Sequence, residues 1–202
     1  MRIFVIDTEY LTWNNINSIK NPLKRIKGEP PEIIQVFVKE IFTKFKNEKL
    51  IYIKPSHYKT YPYRISKLTS IKKFFLDSKG TSFRSAYLDL YKFLPKNSLI
   101  ISNGDESSII EININLNKIK KKLKKLFFIN FYLLIKNKKL FENYKKTNFI
   151  TNNQIKNKLK IKNIKSHNAK NDVKVLIKCI NKISIKKKEI YLYKIFFKNY
   201  YL

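Results

Sequence analysis

The sequence predicts an α/β fold: one domain whose mixed sheet opens with a three-strand antiparallel meander, continues with parallel strands and is flanked by helices. Two observations carry this. Three short runs rich in β-branched and aromatic residues, RIFVI (2–6), EIIQVFVKEIF (32–42) and KLIYIKP (49–55), follow one another with only polar stretches between them, as consecutive antiparallel strands do. Beyond residue 81, helical and strand periodicities alternate, the pattern of helices laid on a sheet.

Taken in order, RIFVI is a buried strand that runs into Asp7, and a polar stretch through Gly28, Pro30 and Pro31 separates it from the second strand. TSFRSAYLDLYKFL (81–94) sets Phe83, Tyr87, Leu90, Tyr91 and Leu94 at helical spacing, with Thr81 or Ser82 as N-cap and Pro95 as the stop. SLIIS (98–102) is a fourth strand, and Asn103-Gly104 turns the chain so that Asp105 sits just past its end. ESSIIEININL fits strand or helix, and its place before the strand LFFIN (126–130) favours a helix. NNQIKNKLKI and NDVKVLIKCINKI are helical, the second through Val173, Leu176, Ile177, Ile180 and Ile183. KIKKKLKKLFF (118–128) reads as a basic amphipathic helix with Ile119, Leu123 and Leu126 turned inward; its basic face is solvated, or lies on an anionic membrane or a duplex backbone. EIYLYKIFFKNYYL (189–202) is too aromatic for a free tail and is expected to dock as a strand or helix or to form a dimer contact.

A length of 202 residues suits one domain spanning 1–202, with its core over about 2–184 and the aromatic, basic segment 185–202 docked on it. Lysine and arginine number 44 against 14 acids, a net charge of +30, which draws a polyanion to almost any face. Only three glycines beside abundant Lys, Asn, Ile, Tyr and Phe also match the codon bias of an AT-rich genome, which explains part of that charge. The single Cys179, set among apolar residues, has no partner for an internal disulfide and implies a reducing compartment. Asp7 follows Met1 too closely to leave room for a cleavable leader, and apolar runs such as FYLLI are far shorter than a membrane span. A soluble, cytoplasmic protein is expected.

The chain has five aspartates and two histidines, and three of those aspartates and one histidine fall in one pattern: Asp7 and Glu9 in FVIDTEY, Asp105 in ISNGDE, and His167 with Asp172 in SHNAKND. Residues two apart on a strand project from the same face, so Asp7 and Glu9 can share a pair of cations. Phosphodiester hydrolysis through two Mg²⁺ ions about 3.5 to 4 Å apart needs oxygen ligands on both. Asp105 and Asp172 complete such a cage, and His167, with an ordinary pKa of about 6.5, suits proton removal from the attacking water. Asp-x-Glu at a strand end is by itself more often a solvated edge, and one histidine a satisfied polar residue; order and spacing supply the specificity.

These residues resemble the histidine subclass of the DEDD exonuclease superfamily, proteins of RNase H-like fold. The family pattern of Asp-x-Glu, a second Asp after a strand, then His-x-x-x-x-Asp falls on Asp7-Thr8-Glu9, Asp105 and His167 to Asp172, over roughly residues 2–184. The resemblance implies 3′-to-5′ hydrolysis of single-stranded ends to nucleoside 5′-monophosphates. It implies two Mg²⁺ or Mn²⁺ ions on the four acids and a histidine general base. Trp13, six residues after Asp7, with EIIQ (32–35), LTSI (68–71) and Gly104-Asp105 look like blocks of the RNA-trimming branch. Ser70 departs from a usual Gly, Asn103 from a common aromatic, and HNAKND is as similar to the proofreading enzymes. On this resemblance Thr8, Tyr10, Leu68, Thr69 and Asn103 contact substrate. Trp13 stacks on the terminal base or packs in the core.

The KPSHYKTYPYR stretch (54–64) interleaves cations with Tyr58, Tyr61 and Tyr63, which suits a single strand or a plain surface loop, and His57 is a bystander. The function expected is therefore a metal-dependent 3′-to-5′ exonuclease on single-stranded RNA or DNA 3′ ends, RNA slightly ahead. A proofreading-type DNA exonuclease is the first alternative, and a catalytically silent nucleic-acid-binding module of the same fold is the second. Oligomeric state is not legible in the sequence.

Overall fold

A computed structural model describes residues 1–11, 30–58, 61, 63–120, 125–144, 150–192 and 198–201, and the structural statements that follow concern these. Strands β1 (Ile3–Leu11), β2 (Glu32–Ile41) and β3 (Glu48–Tyr52) form the expected antiparallel meander. Strand β4 (Leu99–Ser102) lies parallel to β1, and β5 (Lys125–Asn130) parallel to β4. Strand β6 (Lys198–Tyr201) closes that side antiparallel to β5, for a sheet order β3-β2-β1-β4-β5-β6.

Period-2 alternation along the strands splits the core into two layers. Ile3, Val5, Phe37, Leu99, Ile101 and Ile129 face the layer that holds α5 (Phe131–Ile135), α6 (Asn152–Leu159) and α7 (Ala169–Lys182). Phe4, Ile6, Val36, Val38, Ile100 and Phe128 face α3 (Phe83–Phe93) and α4 (Glu106–Leu116). The odd-numbered residues of β1 thus point toward α7 and the even-numbered ones toward α4, and the same parity runs on into the acids at 7 and 9. Asn113, fully buried on α4, accepts the Ile33 N–H at 3.0 Å and donates to the Pro31 carbonyl at 2.9 Å, fixing that helix to the start of β2.

Ser82 caps α3 through a bond from the Ser85 N–H, as expected, and α4 confirms the helical alternative for ESSIIEININL. Three readings change. Strand β1 runs to Leu11, so Asp7 and Glu9 lie within it instead of at its end. The basic helix expected over 118–128 is not formed: 118–120 are turn and coil and 125–130 are strand, with 121–124 outside the described residues. Here β-sheet pairing overrides a helical pattern produced by lysine bias. Short helices α1 (Tyr63–Thr69), which begins inside the 54–64 stretch, and α2 (Lys73–Lys79) come next; at seven residues each they span too few turns to show a period.

The aromatic segment docks twice, through Ile190 buried on α8 (Lys187–Tyr191) and through β6 on the sheet edge. Among the described residues no helix is long and apolar enough to cross a membrane. Cys179 is buried on α7, and burial pushes its thiol up to about 12, the behaviour of a small core residue and not of a reactive thiol.

Candidate active site

The candidate side chains gather just past the stretch where β1 pairs with β4 in parallel, by the carboxyl end of β4, close to the usual position for a site in an open α/β sheet. Asp7 and Glu9 come from β1, and Asp172 comes from the first turn of α7, across the layer those odd-numbered positions face. One carboxylate oxygen from each lies within 4.8 Å of the others.

Helix α7 is placed by three polar contacts. Gln35, fully buried on β2 opposite Glu9, accepts the Ala169 N–H at 2.9 Å. The Asn168 side chain caps the helix by accepting the Asn171 N–H. Asp172 Oδ2 accepts the His167 N–H at 3.0 Å, with His167 in the left-handed region at φ 61°, a conformation that costs a β-carbon-bearing residue about 1 kcal/mol. The acid and the histidine are thereby held as one unit.

A cavity of about 370 Å³ is lined by Asp7, Thr8, Glu9, Tyr10, Ile65, Leu68, Thr69, Asn103, Gly104, Glu106, His167 and Asp172. Of the sequence-predicted residues, the structure brings Asp7, Thr8, Glu9, Tyr10, Leu68, Thr69, Asn103, His167 and Asp172 to this one cavity. Trp13 lies outside the described residues. Asp105 does not line the cavity: it is the exposed N-cap position of α4 and accepts from the Ser107 hydroxyl at 3.2 Å. The acid that does line it is Glu106, one residue on, buried and accepting a hydrogen bond from the Thr8 hydroxyl. In the sequence Gly104-Asp105 fits the family pattern, and the signal for Glu106 is only that it is an adjacent acid at the head of a helix.

His57 is remote from the acids: its backbone N–H, with those of Ser56 and Tyr58, binds the buried Glu32 carboxylate. Tyr58 and Tyr61 pack beside Leu11 and Ile34, and Tyr61 donates to the Ile71 carbonyl at 2.8 Å. Those two tyrosines serve packing as much as any strand. Asn103 joins the end of β4 to the head of α6, donating to the Ile150 carbonyl at 2.9 Å and to Asn152 at 3.0 Å.

Four acids this close and this buried resist ionisation. Burial first, then the charges of Glu106, Asp172 and Glu9, hold Asp7 well above the usual carboxylate range. Burial, with Asp172 and Glu106, lifts Glu9 to about 8. Burial lifts Glu106 to about 7 against the lowering effect of the Thr8 bond, and burial likewise raises Asp172, opposed by His167. None of the ion pairs among the described residues involves these four acids. Asp172 Oδ1 is buried without a hydrogen-bond partner, which leaves an oxygen of this buried acid unsatisfied by the protein. An all-oxygen donor set of this kind fits a hard divalent cation.

Beside this cavity a second hollow, of about 630 Å³, is lined by Lys67, Leu68, Asn153, Lys156, Lys165, Ser166 and His167. It shares Leu68 and His167 with the first and is basic where the first is acidic. Lys165 reaches across it to the Ser70 hydroxyl.

An acid cage of this kind on a mixed sheet defines a metal-dependent hydrolase of RNase H-like fold. The model of the RNase T family, described as exonuclease, matches residues 4–180, and the chain belongs to that exonuclease family. The resemblance drawn from the sequence is thus borne out at the level of the superfamily. Among solved structures, the nuclease domain of 3′hExo, a DEDDh family member bound to rAMP, has a TM-score of 0.66 at 17% identity over 93% of this chain and 94% of that one. Cell-death related nuclease 4 (CRN-4) has 0.67 at 14%, over 91% and 63% of the two chains. The zinc-bound E. coli ExoI–ssDNA complex has 0.65 at 12%, over 95% and 42%. The chain spans less than two thirds of the length of several structures it matches, CRN-4 among them. No curated protein sequence matches the chain.

Proposed function

We propose that this protein is a 3′-to-5′ exonuclease that removes nucleoside 5′-monophosphates from a free single-stranded 3′ end, RNA ahead of DNA, with two Mg²⁺ or Mn²⁺ ions and in the reducing cytoplasm. The observation that carries this reading is the convergence of Asp7, Glu9 and Asp172 on one point, with a buried oxygen of Asp172 left unpartnered. Asp7, Glu9 and Asp172 would hold the metal. Bound there, divalent ions lower the pKa of water and stabilise the leaving oxygen of an in-line displacement.

This chain's own residues supply the rest. His167 takes the proton of the attacking water as general base, and the bond from its backbone N–H to Asp172 keeps the residue beside the acids. Leu68 offers an apolar face to the terminal base, while Thr8, Tyr10, Thr69 and Asn103 line the space for its sugar and phosphate. The strand leaves across the basic hollow, where Lys67, Lys156 and Lys165 meet its phosphates. Structural neighbours include a 3′-exonuclease recognising a histone mRNA stem-loop and ExoI bound to ssDNA. RNA is favoured by the likeness to 3′hExo over nearly the full length of both chains. A DNA-directed enzyme of the proofreading type is the second reading, supported by a TM-score of 0.68 to exonuclease I.

Incubation of the purified protein with 3′- and 5′-labelled RNA and DNA oligomers, with and without Mg²⁺, tests the proposal. The expected result is Mg²⁺-dependent release of mononucleotides from the 3′ label first, RNA faster. Inert oligomers in both Mg²⁺ and Mn²⁺ would return the chain to a silent binding module.

A further inference from the structure

We infer that Glu106, and not its neighbour Asp105, supplies the fourth carboxylate of the metal cage, an assignment that rests on the metal-dependent reading above. Asp105 is the non-helical N-cap and Glu106 the first helical residue, so the two consecutive acids leave the chain in different directions. At position 105 the backbone is still outside the helix, and the carboxylate is turned to solvent beside Ser107. At 106 the side chain enters the cavity and is 8% exposed.

Two further contacts place the Glu106 carboxylate. Its Oε2 accepts the Thr8 hydroxyl, from the strand position between Asp7 and Glu9. Its Oε1 lies against Gly104, where an added Cβ would stand 3.2 Å away, tighter than an ordinary contact, so the glycine leaves room for this oxygen. Glu106 reaches the acids from the α4 layer while Asp172 reaches them from the α7 layer. Acids from both faces of the sheet therefore border the one cavity, and the longer glutamate side chain suits an approach from the α4 side. Asp7, Glu9 and Asp172 bring their oxygens within 4.8 Å of one another, and Glu106 lines the same cavity beside them.

The test is Mn²⁺ binding by the full chain, read as loss of the free-ion paramagnetic resonance signal, for the parent, Glu106→Gln, Glu106→Asp, Asp105→Asn and Asp7→Asn. The expected result is that Glu106→Gln weakens Mn²⁺ binding at least about tenfold, as losing support for a metal site does, with Glu106→Asp between it and the parent. Asp105→Asn binds within about twofold of the parent by the same scale. Melting of the metal-free variants shows that each is folded, so that a change in Mn²⁺ binding is read on the native chain. Loss of Mn²⁺ on Asp105→Asn, or parent affinity in Glu106→Gln, overturns the assignment. Asp7→Asn separates the two levels: if it too binds as the parent does, the metal reading has failed, and if it alone loses Mn²⁺, only the place of Glu106 has.

Discussion

Raising the pH of the metal-free protein from 5 to 8.5 ionises a buried acid cluster that has no cation to oppose it, and the fold should weaken as a result. Glu9 stands at about 8 and Glu106 at about 7 against an ordinary 4.5. Between those limits the folded chain holds protons that the unfolded chain has released. Stability is thus fully present near pH 4.5 and falls as pH rises, because the native state binds the more protons. For Glu9 alone the displacement corresponds to about 5 kcal/mol. Water entry and relaxation around the ionised group bring the observed loss to about 2 to 5 kcal/mol, or roughly 5 to 15 °C of melting temperature for a chain of this size. Calorimetric scans in EDTA at steps across that range measure it, and millimolar Mn²⁺ should restore most of the loss at pH 8 and little at pH 5. A melting temperature that is flat or rising with pH in EDTA would refute the clustering of these acids.

Asp7→Asn, Glu9→Gln and Asp172→Asn should each nearly abolish turnover while keeping the strand bound, checked by product release against oligomer binding. His167→Ala should lower turnover by about two to four orders of magnitude and His57→Ala leave it unchanged; equal losses would mean that neither histidine is the base. Log K for a single strand should fall steeply with log salt, and removing Lys67 and Lys165 together should flatten the slope by about 1.4, at 0.7 per phosphate. Ser70 sits at φ 60°, so Ser70→Gly should raise stability by up to about 1 kcal/mol, less the small contribution of its exposed bond with Lys165, seen as a shift in denaturant midpoint.

The meander, the fourth strand and helices α3 and α7 were legible because their apolar residues repeat at one clear period over ten residues or so. Helices α1, α2 and α5 were not, since five to seven residues cannot separate a helical period from lysine- and isoleucine-rich noise. The same noise made 118–128 look helical. That Asp7, Glu9, His167 and Asp172 line one cavity was foreshadowed by their spacing along the chain. Choosing between Asp105 and Glu106 required the helix start to within one residue, and boundaries are the least determined part of any such reading. Ser70 is the reverse case: its departure from glycine was visible in the sequence, but only the left-handed backbone gives the reason a glycine would suit.

Strand β6 has a consequence for how this protein behaves among its own copies. By pairing Lys125 to Phe128 with Lys198 to Tyr201, it occupies hydrogen-bonding groups that β5 would otherwise display along one margin of the sheet. An uncovered margin of aromatic and β-branched backbone is a template for the same strand in a neighbouring molecule. Clipping residues 198–201 would leave the acids and the histidine where they are and still change how copies meet: the exposed β5 would recruit a second β5, and repulsion from the high positive charge would be what slowed the chains from stacking.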